Sequence, residues 1–282
     1  MGGSSELANL IITPAREFKI PVTAECISPD FVAGKSLREI ELTKIWEGNR
    51  RVRLGSLFKV EGETGRTPSD CTIRIAGNVD AVRRIGYGMT GGSVQIDGDA
   101  GMYLGEQMQE GSIVVAGNAG SWLGTQMRNG KIEVKGNAGD SVGGSARGGT
   151  KGMRGGMIII HGDCGTEAGA WMQDGIIRIK GNCDLYAGIH MRNGTVLVER
   201  NSVGRLGAHM TGGKIIVLGN MEGVLPSFQF EEIREKVKSG DEKIPGPFYV
   251  FSGDVNDDGG GRLFAKVSDN ADLKWCEKFL ER

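Results

Sequence analysis

Few residues of this chain are of the types that carry chemistry, and their spacing rarely gathers them. Of three histidines, two, His190 and His209, lie 19 residues apart. Imidazoles so spaced could share a metal ion, but no column of carboxylates or thiols stands beside them to complete a ligand set. Stacked surface rings are expected instead. The five cysteines, Cys26, Cys71, Cys164, Cys183 and Cys276, form no C-x-x-C pair. Iron–sulfur and structural zinc sites usually need about four clustered ligands, so reduced thiols are expected, with Cys164 and Cys183 as stacked neighbours. Asp254-x-Asn256-x-Asp258-Gly259 opens like a calcium-binding EF-hand loop, but Ala265 stands where the bidentate glutamate is needed, and an acidic turn is expected. Arg147, Lys151 and Arg154 lie among glycines whose backbone N–H groups can approach an anion. They are the candidate contacts for a substrate or a partner. There is no G-x-x-x-x-G-K-[ST] string and no nucleophile elbow. No catalytic residue and no metal ligand is expected.

The elements that position these residues follow from a repeat. Methionines fall at Met89, Met108, Met127, Met153, Met172, Met191 and Met210; five of the six intervals are 19 and that from Met127 to Met153 is 26. A glycine follows each methionine by three, as at Gly111, Gly130, Gly175 and Gly194, and another precedes it by three, except where Thr150 breaks the column. Next comes an alternating pair of β-branched residues, from Val94/Ile96 to Ile215/Val217. Period two with β-branching marks short strands. Each strand runs into a Gly-Asn or Gly-Asp corner, as at Asn118, Asn137 and Asn182, except that Arg200-Asn201 replaces it in one unit; Gly and Asn both tolerate positive φ.

A self-similar period near 20 residues means a solenoid. The glycines would cost a helix about 1 kcal/mol each, so the repeat is built of strands. The expected fold is all-β, a right-handed parallel β-helix of about seven 19-residue turns with capping segments at both ends. Val/Ile pairs and methionines (Met108, Met127, Met172, Met191) fill the interior, and an Asn/Asp ladder lines one corner. Five residues before the methionines stand Tyr103, Trp122 and Tyr186; one residue before them stand Gln107, Gln126, Trp171, His190 and His209. The interval of 26 hides seven extra residues, spread over 140–152, that must bulge outward because the core has no room.

Three regions result: N-terminal strands and a cap over 1–70, repeats over 71–225, and a C-terminal helix and strand cap over 226–282. Strand-like stretches occur at 10–13 and 18–22, and 37–46 alternates apolar and polar residues. Ser227 is placed to cap a helix over 228–237, and 248–252 reads as a further strand. The 48 glycines in 282 residues, against a usual share of about 7%, fit corners rather than collagen, since no Gly-X-Y triplet runs through the chain. A net charge of -1 offers no basic surplus for nucleic acid or an anionic membrane. No apolar run approaches the roughly 18 residues of a membrane span. The opening Met-Gly-Gly-Ser-Ser-Glu lacks the regions of a signal peptide and, with Glu6, the myristoylation pattern. A cytoplasmic location is expected.

The run G-N-A-G-x-x-x-G-x-x-M-x-x-G-x-I-x-V-x-G-N over 117–137 resembles the C-terminal β-helix of the glutamate synthase large subunit. With the entry over 42–54, the exit Val224-Leu-Pro-Ser-Phe, the glycine-rich 145–156 and the closing Phe251-Ser-Gly-Asp with Gly261-Arg-Leu, the chain resembles the C subunit of formylmethanofuran dehydrogenase. The resemblance covers roughly 36–268. It implies a β-helical structural subunit of an oxidoreductase complex that reduces CO2 and attaches it as a formyl group to methanofuran in methanogenesis. It also implies amidohydrolase-like, pterin and ferredoxin-like partner subunits. Those partners would carry a molybdenum- or tungsten-pterin, a dinuclear metal site and iron–sulfur clusters, with no cofactor on this chain. The alternative is the C subunit of the formyltransferase/hydrolase complex of methylotrophs. A polysaccharide lyase needs acids and bases clustered on one face, a hexapeptide acyltransferase has a period of 18, and a whole glutamate synthase needs domains that 282 residues cannot hold.

Overall fold

The computed structural model describes residues 8–280; the reading of the first six residues lies outside them. Strands dominate. Eight run parallel and in sequence order through one sheet: Cys71–Ile75, Thr90–Ile96, Glu110–Val115, Lys131–Val134, Arg154–Ile160, Asp174–Ile179, Thr195–Val198 and Lys214–Val217. Their register is fixed by the repeat. Ile73 pairs with Val94, Val94 with Ile113, Ile113 with Ile132, Ile132 with Ile158, Ile158 with Ile177, Ile177 with Val196 and Val196 with Ile215. A second parallel ladder stacks the corner residues Val79, Ala100, Ala119, Ala138, Cys164, Cys183, Ser202 and Met221. Each unit therefore lies directly on the one before it, at roughly the 4.8 Å separation of neighbouring strands.

The interior is filled by repetition. The seven repeat methionines are fully buried, as is the Val/Ile column. An unbranched thioether is flexible enough to fill a narrow gap, and here its tip reaches the next unit. A Cβ added at Gly130 would lie 2.7 Å from the ε-carbon of Met108, and one at Gly175 would lie 2.8 Å from that of Met153. Both glycines also have positive φ, 89° and 101°, which a side chain would strain. Outside, each corner Asn or Asp oxygen accepts the backbone N–H of its counterpart one unit on. Asn118 N–H donates to Asp99 at 2.6 Å, Asn137 to Asn118 at 2.8 Å, and Asn182 to Asp163 at 2.6 Å.

Both ends of the stack are extended by other strands. Ala8–Pro14 runs parallel to Cys71–Ile75 and antiparallel to Phe58–Gly62. At the far end Gly261–Lys266 runs parallel to Lys214–Val217, and the hairpin Gln229–Ser239/Glu242–Gly253 continues the sheet antiparallel. The hairpin corrects the helix expected over 228–237. Its charged residues favour a helix locally, but the Gly240-Asp241 turn folds the segment against Glu242–Gly253 and strand pairing overrides propensity. Residues 37–46, where apolar and polar residues alternate, divide into two elements. Leu37–Leu42 is a helix, closed by a capping box in which Ser36 and Glu39 bond reciprocally, and Lys44–Glu47 is a strand. Of 18–22, only Val22 enters a strand, Val22–Thr23. Among the described residues no helix is long and apolar enough to cross a membrane.

On the outer face of the parallel sheet Glu133 bonds Lys135, Lys131 at 3.0 Å and His161 at 2.9 Å. These partners, Lys135 foremost, lower its carboxyl from the ordinary 4.5 to about 2. A depressed carboxylate pKa stabilises the fold above the unfolded value and the effect is lost as pH falls through the folded one. The stability difference between the native chain and E133Q should therefore be full above about pH 4.5 and vanish towards pH 2. Denaturant midpoints across that range check this; a difference independent of pH would contradict it. Met127→Ala and Met172→Ala should each cost about 2–5 kcal/mol, the usual penalty for emptying a buried site, read as a lower urea midpoint.

Candidate functional site

The seven extra residues are 145–151, and the site is built around them. Gly143 N–H donates to Leu123 O, as Gly124 N–H does to Leu104 O, and Met153 N–H donates to Gly143 O, as Met127 N–H does to Gly124 O. Gly143 thus fills the glycine column that the sequence shows interrupted at Thr150. The chain leaves the stack after Gly144 and returns at Gly152, whose N–H donates to Trp171 O at 2.8 Å. The excursion is held by its own turns: Gly149 N–H donates to Ala146 O at 2.8 Å and Ser145 Oγ–H to Gly149 O at 2.9 Å.

Two side-chain ladders flank this excursion. Tyr103, Trp122, Ser141, Glu167 and Tyr186 all have positive φ and occupy one. Tyr103 and Trp122 stack with ring centroids 5.2 Å apart. Gln107, Gln126, Trp171, His190 and His209 share the same backbone conformation and occupy the other. There Gln107 donates to Gln126 at 3.2 Å, and Trp171, His190 and His209 stack at 4.0 and 4.8 Å. Burial in the stack, and then the neighbouring His209, lower the His190 pKa, since a charged imidazole loses solvation there.

A cavity of about 490 Å³ opens between the excursion and the ladders, lined by Trp122, Arg147, Glu167, Trp171 and His190 among others. Arg147 leans over Trp122, its guanidinium carbon 4.8 Å from the ring centroid. Ser141 Oγ–H donates to Glu167 at 3.1 Å. Of the three candidate cations the structure brings only Arg147 to this cavity; Lys151 and Arg154 are exposed and do not line it.

The acidic turn holds a group that the sequence reading missed. His209 Nδ1 lies 2.8 Å from Asp257, and the His209 backbone N–H donates to Asp254 at 3.1 Å. Ligand atoms of His209, Asp254 and Asp257 all fall within 4.8 Å of one another. The carboxylates that no column supplied come from a segment 45 and 48 residues away, beyond the reach of any spacing argument. Burial opposes ionisation of Asp254, yet the N–H groups of His209 and Asn256 hold its carboxyl below the usual range. The group is already bonded within itself. The five cysteines are free and buried; a hydrogen bond with Cys183, then burial, raises the Cys164 thiol.

No protein-family model matches the chain. Among curated proteins, the C subunit of the molybdenum-containing formylmethanofuran dehydrogenase 1 of Methanosarcina barkeri is 36% identical over 101 residues, 36% of this chain and 34% of that one. The C subunit of the tungsten-containing formylmethanofuran dehydrogenase 2 of Methanothermobacter wolfeii is 41% identical over 98 residues, 35% of this chain and 36% of that one. Over that segment the chain is related to the C subunits of formylmethanofuran dehydrogenases. The match spans about a third of the length of each formylmethanofuran dehydrogenase relative. Among solved structures, a chain of the formyltransferase/hydrolase complex of Methylorubrum extorquens, crystallised with methylofuran, superposes with a TM-score of 0.80. That match is 24% identical and covers 91% of this chain and 99% of that one. At that identity the likeness is one of fold.

Removing residues 145–151 should leave the stack intact, because Gly144 and Gly152 would then stand at adjacent positions of an ordinary 19-residue unit. Far-ultraviolet circular dichroism and the urea midpoint should change little. Loss of cooperative unfolding in the deletion variant would contradict this placement of the excursion.

Proposed function

We propose that the chain is a right-handed parallel β-helix acting as a structural subunit of formylmethanofuran dehydrogenase, located in the cytoplasm and without catalysis of its own. The observation that carries the reading is the 36–41% identity of about a third of the chain to C subunits of that enzyme. The architecture agrees with such a role. A general base needs oriented neighbours in a water-excluding cleft, whereas a stack of identical short units presents long flat ladders suited to rigid partners. The partners in this reading are the amidohydrolase-like, pterin and ferredoxin-like subunits. They would carry the dinuclear metal site, the molybdenum- or tungsten-pterin and the iron–sulfur clusters. Arg147, Lys151 and Arg154 would supply positive charge to a partner subunit or to the anionic part of a substrate. Holding two active subunits in fixed relation would let formate made at one reach the other.

The fold likeness over 91% of the chain supports a second reading, the C subunit of a formyltransferase/hydrolase complex. Reconstitution separates the two. Purified subunits assembled with this chain should couple CO2 reduction to formylmethanofuran formation, the same set without it should lose most of that coupling, and the chain alone should turn over nothing. Full coupled turnover in its absence would overturn the proposal. Formyl transfer and hydrolysis without CO2 reduction would favour the second reading.

A further inference from the structure

A second sheet stands near the start of the chain, its strands in the order Arg50–Arg53, Lys44–Glu47, Val22–Thr23 and Val82–Arg83. Arg50–Arg53 is an edge strand, paired on one side only, antiparallel to Lys44–Glu47. Leu54 N–H donates to Thr43 O at 2.8 Å. Bonded and non-bonded pairs alternate along an antiparallel ladder, so the bonded pairs that continue from this one are Ile45/Val52 and Glu47/Arg50. The N–H and C=O groups of Arg51 and Arg53 therefore point to the open side. Ser56 Oγ–H donates to Arg53 O at 2.7 Å. Among the described residues no partner stands on Arg51 N–H, Arg51 O or Arg53 N–H.

The side chains divide by face. Arg51 stands opposite Trp46 and Arg53 opposite Lys44, all four exposed on the outer face. The Arg51 guanidinium carbon lies 5.3 Å from the Trp46 ring centroid. On the other face Val52 stands opposite the buried Ile45 and is itself half-buried. The carboxylates nearest in sequence are taken: Glu47 is bonded to Arg16, and Glu25, just past Val22–Thr23, to Arg84 at 2.6 Å. Among the described residues no carboxylate lies within 4.0 Å of the charged groups of Lys44, Arg51 or Arg53.

An unpaired edge invites another strand, and proteins commonly guard it with charge. Here the guard is of one sign. Two copies joined along this edge would set arginine against arginine, which like charges disfavour; an acidic strand meets no such barrier. In an antiparallel strand laid along the edge, the residue bonded opposite Arg51 would hold its side chain on the Arg51 and Trp46 face. Its second neighbour would stand opposite Arg53 on the same face. Carboxylates at those two places would each meet a guanidinium without a carboxylate partner. The residue between them would lie beside Val52 on the other face, where an apolar side chain would cover it. Added strands gain affinity from main-chain bonds and specificity from such alternate side chains. We infer that the open edge of Arg50–Arg53 receives an extended segment of a partner protein in which acidic and apolar residues alternate. The inference goes beyond the assembly reading and needs only the folded chain.

The test uses the full chain and fluorescently labelled probes. The first is a peptide of alternating glutamate and valine, about seven residues long, as suits a short edge strand. The second carries lysine for glutamate. The third is the glutamate peptide N-methylated at every glutamate, which keeps the charge and loses the strand bonds. A short oligothymidylate of similar charge is the fourth. Fluorescence anisotropy gives the binding. The glutamate peptide should bind with a Kd of roughly 100 µM, and the other three at least about tenfold more weakly. The double variant Arg51→Glu with Arg53→Glu changes two exposed side chains. It should keep its circular dichroism and reverse the preference, so that the lysine peptide binds the tighter. Binding of the N-methylated peptide or the oligothymidylate as tight as that of the glutamate peptide would show attraction by charge alone and overturn the inference. So would glutamate-peptide binding that survives in the double variant, no binding at about 1 mM, or self-association of the native chain that the double variant abolishes.

Discussion

The tip of each repeat methionine is seated against a glycine of the next unit, and the stack depends on that seat. The distance from thioether to glycine is fixed by the 19-residue spacing, so a slip of one residue would set a methyl group against a Cβ or a backbone carbonyl. The seat also explains why a glycine follows each repeat methionine by three in every unit. At Gly130 and Gly175 any side chain would meet the methionine below it while forcing a strained backbone. With the interior locked, the outer ladders follow: Asn and Asp oxygens accept from the next backbone N–H, and aromatic side chains at positive-φ corners fall face to face. The seven residues leave the stack after Gly144 and return at Gly152, where a Cβ would lie 2.6 Å from Ala170 O of the next unit.

Much of this was legible in the residues because every unit is a copy. The Met, Gly, Val/Ile and Asn/Asp columns needed no structure to be seen, since a constant offset in sequence becomes a constant offset in space. What escaped was whatever the repeat does not govern. Gly143 belongs to the glycine column but stands ten residues before its methionine, hidden by the excursion. The segment 228–237 carries the charges of a surface helix, and only pairing with Glu242–Gly253 makes it a strand. The capping box at Ser36 and Glu39 was a local signal that apolar alternation masked. Asp254 and Asp257 reach His209 across 45 and 48 residues, so only the fold can join them. Of the candidate cations, sequence placed all three near the excursion, and the structure alone separates Arg147, which stacks at the cavity, from Lys151 and Arg154, which do not line it.

About a third of the chain is 36–41% identical to C subunits of formylmethanofuran dehydrogenases, and a likeness of fold to a chain of a formyltransferase/hydrolase complex extends over 91% of it. The stacked units give a long surface of ladders, and the excursion at 145–151 breaks its repetition.

The central claim, that the chain works as one structural subunit among catalytic ones, is tested most directly by purifying the tagged full chain from the organism that makes it and weighing the intact assembly by native mass spectrometry. The account predicts a complex of defined mass that contains the amidohydrolase-like and pterin subunits. Recovery of the chain alone, or with partners of neither kind, would contradict it.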